Sequence, residues 1–368
     1  MIDKRLENLA TILTKYSLNL QKNDLFRISG SYLAAPLIQE VYRQAVKIGA
    51  HPFTHIGIDG LAESYYQHAT NQQLKYVSPL SKFEIEQIDA SLAILSPENT
   101  RNMTNIDPKK QAISNSAHHE LHEIFNKRAA QKELRWCVTQ YPTQAQAQDA
   151  EMSLTDYEKF IFDAAHVNAK DPIKYWQTVH KEQEKIRRML ATKKTIHVYA
   201  KDTDLSVSVT DRIWINCSGK ENFPDGEVFT GPVENATEGH ISYSFPDSYN
   251  GREVNDIQLW FKKGVVVKAE ASKGKEFLNA MLDTDPGARR LGEFAFGTNY
   301  GVKRFTKNTL FDEKIGGTIH LAVGSGFPET HSKNISSLHW DMVCDLRKNG
   351  EVYADNELIY KNGRFINL

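Results

Sequence analysis

Near residue 190 the spacing of apolar side chains changes, and no single regular layer accommodates both patterns. Before that point, helical stripes alternate with short apolar runs. Leu6, Leu9, Ile12, Leu13 and Tyr16 recur at helical spacing. Leu37, Val41, Ala45 and Ile48 do the same, and Gly49 stands where a left-handed residue caps a helix. Residues 25–28, 52–56, 92–95 and 134–138 read as strands between such stripes. That rhythm predicts a parallel α/β unit. Residues 155–190 predict helix, with Glu182, Glu184, Lys185, Arg187 and Arg188 on a solvated face. From Thr195 onward a two-residue alternation dominates, as in Leu205-Ser206-Val207-Ser208-Val209, and Lys262-Lys263-Gly264 ahead of Val265 reads as a hairpin turn. The predicted fold class is α/β in two domains: an N-terminal parallel α/β domain over residues 1–190 and a C-terminal mixed α+β domain over 191–368. The length of 368 residues agrees, since a domain usually takes roughly 100–200.

Charge and cysteine usage narrow the function. A formal net charge of -1 gives no global field to draw in nucleic acid or an anionic membrane. No run approaches the roughly 18 apolar residues that span a bilayer. Asp3, Lys4, Arg5 and Glu7 stand where a signal peptide would be apolar, so the expected location is cytoplasmic. Cys137, Cys217 and Cys344 are far apart and lack C-x-x-C spacing, which leaves oxygen and imidazole nitrogen to hold any metal. Phosphate-loop, dinucleotide-loop and Gly-x-Ser-x-Gly signatures are absent.

His118-His119-Glu120-Leu121-His122-Glu123 invites a zinc-helix reading, but the His-Glu-x-x-His order is off by one position, and an exposed helix is the expectation. Four blocks in the C-terminal half carry more. Pro224-Asp225-Gly226 is a turn that delivers Glu227 to the start of an extended segment. Glu293 sits in the apolar run Leu291-Gly292-Glu293-Phe294-Ala295-Phe296, where a buried carboxylate needs a metal, a cation or a proton, with Arg289 and Arg290 as simple ion-pair alternatives. Asp312-Glu313-Lys314 leads through Gly316-Gly317 into a strand bearing His320. Finally, His339 and Asp341 alternate with Leu338, Trp340 and Met342, so both project from one strand face. The candidate ligands are Glu227, Glu293, Glu313, His320, His339 and Asp341. This hard, anionic set suits two divalent ions, zinc, cobalt, manganese or magnesium, bridged by carboxylate at roughly 3.5–4 Å.

The phrases Pro-Asp-Gly-Glu-Val-Phe-Thr, Leu-Gly-Glu, Asp-Glu-Lys with Gly-Thr-Ile-His-Leu-Ala, and Asn-Ile-Ser-Ser-Leu-His-Trp-Asp resemble the thermophilic-type metallo-aminopeptidases, in order and in approximate spacing. The resemblance implies a two-domain, two-metal enzyme, commonly homodimeric, that removes N-terminal residues from peptides. It places Glu227, Glu293, Glu313, His320, His339 and Asp341 on the family's metal centre, with Glu293 the expected general base. The interval from Glu313 to His320 is longer than the family pattern. One position departs outright: where the family commonly has Gly-x-x-Tyr-Pro, this chain has Gly324-Ser325-Gly326-Phe327-Pro328. That substitution keeps a catalytically impaired peptide-binding homologue open as an alternative, beside another binuclear amidohydrolase.

Overall fold

The computed structural model of the chain describes residues 3–249, 251–366 and 368. Two compact units are present: residues 1–173 with 219–223, and residues 174–218 with 224–368.

The first unit is built on a five-stranded, all-parallel sheet in the order His51–Gly57, Leu25–Ser31, Ala90–Leu95, Arg135–Gln140, Asn222–Phe223. Parallel neighbours need crossovers, and the helix Ala35–Ile48 supplies one, burying Leu37, Ile38, Val41 and Ala45. It ends at Gly49 with φ 92°, a conformation open to glycine without a Cβ penalty. The His118–Glu123 segment is not one helix. Pro108–Ala117 ends at His118, and His119–Ala130 starts after it. His119 lies 3.4 Å from an exposed Glu123.

The second unit is antiparallel. One sheet has eight strands in the order Val265–Glu270, Gln258–Lys262, Thr237–Ser242, Thr203–Ser208, Thr195–Ala200, Glu351–Ala354, Glu357–Lys361, Arg364–Phe365. A second sheet runs His339–Asp345, Thr318–Gly324, Leu291–Gly297, Glu227–Thr230, Ile215–Cys217. One apolar core unites them, including Ile196, Leu205 and Val352 from the first and Phe294, Leu321 and Met342 from the second. Ile186 and Leu190 of the helix Pro172–Leu190 are buried in that same core. Fully burying such a side chain is worth about 1.5–3 kcal/mol, so this helix belongs with the second unit from Lys174 onward and not with a first domain running to residue 190. Among the described residues Cys137, Cys217 and Cys344 form no disulfide with one another. Among the described residues, no helix is long and apolar enough to cross a membrane.

Candidate metal centre

The second unit's sheet from His339–Asp345 to Ile215–Cys217 divides its residues by parity. Val228, Phe294, Phe296, Ile319, Leu321, Val323, Trp340, Met342 and Cys344 enter the apolar core. The intervening positions present Glu227, Glu293, His320, His339 and Asp341 on the opposite face. Register aligns them: Glu293 lies opposite Ala322, Ala322 opposite Asp341, and Gly324 opposite His339.

A β-bulge between Leu291 and Glu293 re-aims the glutamate. Gly292 makes this possible, because a Cβ there would stand 2.1 Å from the Ser325 carbonyl oxygen. That same carbonyl lies 2.8 Å from His339 Nδ1. A carbonyl only accepts, so Nδ1 donates and Nε2 is turned to the carboxylates, the usual way an outer partner orients a ligating imidazole.

The donors converge at consistent separations. His320 Nε2 is 3.4 Å from Glu227 Oε2 and 3.5 Å from Glu293 Oε1. His339 Nε2 is 3.4 Å from Glu293 Oε2 and 3.2 Å from Asp341 Oδ2. Good N–H···O hydrogen bonds are nearer 2.9 Å. Two ligands held at roughly 2.0–2.1 Å by one tetrahedral ion stand roughly 3.4 Å apart. Among the described residues, two groups could hold an ion: Glu227, Glu293 and His320, and Glu293, His339 and Asp341. They share Glu293, whose two oxygens face different imidazoles. Among the described residues His320 Nδ1 is buried with no hydrogen-bond partner, while Glu227 Oε2 is met by Lys314 and Asp341 by Glu313. The donor set therefore fits divalent ions, and oxygen and nitrogen ligands suit zinc, cobalt or manganese alike.

Burial and proximity set the charges. Glu227 and Glu293 are each 5 % exposed and His320 1 %, so water cannot stabilise their ionised forms. Burial pushes the Glu293 carboxyl up, but hydrogen bonds from His320 and His339 prevail and hold it below the ordinary range. Burial opposes charge on His320, yet Glu293 and Glu227 raise it to about 9. His339 rises against its own burial to about 12, through Asp341 and Glu293. Asp341 is lowered, burial notwithstanding, chiefly by His339. The two imidazolium groups thus hold positive charge where the candidate ions would bring theirs.

Glu313 belongs to neither group but adjoins both, hydrogen-bonded with Asp341 and beside Glu227 through Lys314. It follows the short helix Thr309–Asp312, and burial raises its carboxyl to about 8. Its Oε2 lies 2.9 Å from Lys314 Nζ, which is also 2.7 Å from Glu227 Oε2. The sequence reading missed Lys314. Its signal was a lysine inside the run Phe311 to Ile315, immediately after two acids. The arginine alternative for Glu293 does not occur: Arg289 pairs with Asp283 at 2.7 Å, and Arg290 donates to the Glu234 carbonyl at 2.6 Å. Phe327 does stand at the centre, its ring 5.1 Å from the His339 ring and 5.2 Å from that of Phe229, both edge-on.

Known proteins resemble the chain over most of its length. Aminopeptidase 2 of Geobacillus stearothermophilus is 29% identical over 364 residues, covering 91% of this chain and 87% of that protein. Aminopeptidase T of Thermus thermophilus is 27% identical over 355 residues, covering 89% and 86%. The solved structure of wild-type AmpT from Thermus thermophilus superposes with a TM-score of 0.87 over 100% of both chains, and at 22% identity it speaks to the fold. The family model described as thermophilic metalloprotease (M29) matches residues 2–365, and the chain belongs to that family.

Proposed function

We propose that this chain is an aminopeptidase working on peptides with a free N-terminus through two divalent ions. Glu227, Glu293 and His320 would hold one, and Glu293, His339 and Asp341 the other. The observation that carries the reading is the 3.2–3.5 Å spacing of the donor atoms around one shared carboxylate. When bound, such ions polarise the scissile carbonyl and lower the pKa of a water molecule to about 7. The protein's own residues do the rest. Glu293 receives the water's proton and returns it to the departing amine. The Ser325 carbonyl fixes the His339 ring, and the Leu291–Gly297 bulge fixes Glu293. The names of the relatives support the substrate class.

The test is hydrolysis of aminoacyl chromogenic substrates before and after chelator treatment, with metal content measured in the same samples. An ion contributing several kcal/mol predicts a loss of about 10³-fold on stripping, reversed by cobalt(II) or zinc(II). N-acetylated peptides are not cleaved. Unchanged turnover in protein shown to be metal-free would sink the reading.

A cytoplasmic homodimer completes the proposal. In the first unit the helices Leu61–His68 and Pro79–Gln87 bury no residue, and Leu80 and Phe83 are 76% and 63% exposed. Apolar surface of that kind suits a second copy. Light scattering is expected to give twice the 41.8 kDa chain mass. Leu80→Asp with Phe83→Asp moves it toward the single-chain value. A monomeric wild-type protein at micromolar concentration overturns this part.

A further inference from the structure

Lys314 is 1% exposed, yet it carries an ammonium group. Its Nζ sits 2.7 Å from Glu227 Oε2 and 2.9 Å from Glu313 Oε2. The backbone fixes it there. Asn299 N–H donates to the Lys314 carbonyl at 3.0 Å, while Asn299 Nδ2 donates to the Asp225 carbonyl at 2.8 Å. One asparagine thus ties the lysine to the turn that delivers Glu227. The Glu227 oxygen that meets the ammonium is also the one 3.4 Å from His320 Nε2. Lysine and candidate ion therefore address the same oxygen.

A buried ammonium is expensive unless paired, and a pocket of buried carboxylates is expensive unless neutralised. Lys314 meets both requirements with no metal present. Once an ion binds Glu227, the ion supplies charge of the same sign at the same oxygen, and the lysine's contribution shrinks. We infer that Lys314 is a positioning residue of the centre, a built-in cation that holds Glu227 and Glu313 in place before metal arrives and then shares the Glu227 oxygen with it. This rests on the metal-centre reading above. It distinguishes Lys314 from a lysine that merely supports the fold, because its importance depends on whether the centre is filled.

The test compares melting temperatures of wild type and Lys314→Met, each chelator-stripped and each saturated with cobalt(II). Leaving buried carboxylates without their cation lowers the stripped variant's melting temperature by roughly 10 °C. In cobalt(II) the deficit falls to less than about half of that, so cobalt(II) raises the variant more than it raises wild type. A stripped variant that is unfolded by circular dichroism and refolds on adding cobalt(II) supports the inference equally. Equal deficits with and without metal, no deficit in either, or a variant unfolded in both, overturn it. Failure of the underlying reading looks different: cobalt(II) then leaves the wild-type melting temperature unmoved.

Discussion

Glu293→Gln is expected to lower kcat/KM on aminoacyl substrates by about 10³-fold or more, the upper part of the range for losing a positioned acid–base group. The substitution keeps the shape of the side chain and removes its charge. Both candidate ligand groups include Glu293, so both lose an anionic donor at once. His320 and His339 lose it too, and with it part of what raises them to about 9 and about 12. Metal content, measured beside turnover, separates the two proposed duties. A drop in bound metal identifies Glu293 chiefly as the shared ligand. Retained metal with lost turnover identifies it as the proton carrier. Near wild-type turnover with full occupancy removes it from the mechanism. Circular dichroism of the variant keeps unfolding from passing as either result.

What the sequence disclosed about this centre was what a two-residue period can disclose. His339 and Asp341 flank Trp340, and strand parity alone puts them on one face; the structure separates Nε2 and Oδ2 by 3.2 Å. The parallel first sheet was legible for the same reason, because helical stripes and short apolar runs each have a period. Non-local events were not legible. Asn222–Phe223 pairs with Arg135–Gln140 and so returns to the first unit, though it lies beside the turn leading to Glu227. No local pattern marks a two-residue strand whose partner is distant in sequence. The bulge at Gly292 depends on the approach of the Ser325 carbonyl, which the run around Glu293 does not encode. Lys314 followed the same rule: a lysine beside two acids normally reads as solvated, and the convergence of the distant Glu227 with Glu313 makes its burial tolerable. Arg289 and Arg290, adjacent in sequence to Glu293, turned elsewhere. Proximity along the chain was a poor guide to pairing on a sheet.

Phe327→Tyr is the second large effect, and it is a gain. The family resemblance sets a tyrosine at this position, and in the structure the phenyl ring meets the His339 ring edge-on at 5.1 Å. Phenylalanine offers no donor to the oxyanion that develops on the scissile carbonyl, and a single donor of that kind is worth about 10²–10³-fold in turnover. Restoring it should raise kcat and kcat/KM together by about that factor, with KM and metal content unchanged, since the bond would form only in the transition state. Steady-state kinetics on one aminoacyl substrate, with elemental analysis of both proteins, decides the matter. An unchanged kcat means that another group already serves as donor and that Phe327 shapes the pocket for some other end. A wild-type protein that is silent on every substrate, made active by this one oxygen atom, would instead identify the chain as a family member with its metal centre intact and its oxyanion donor gone.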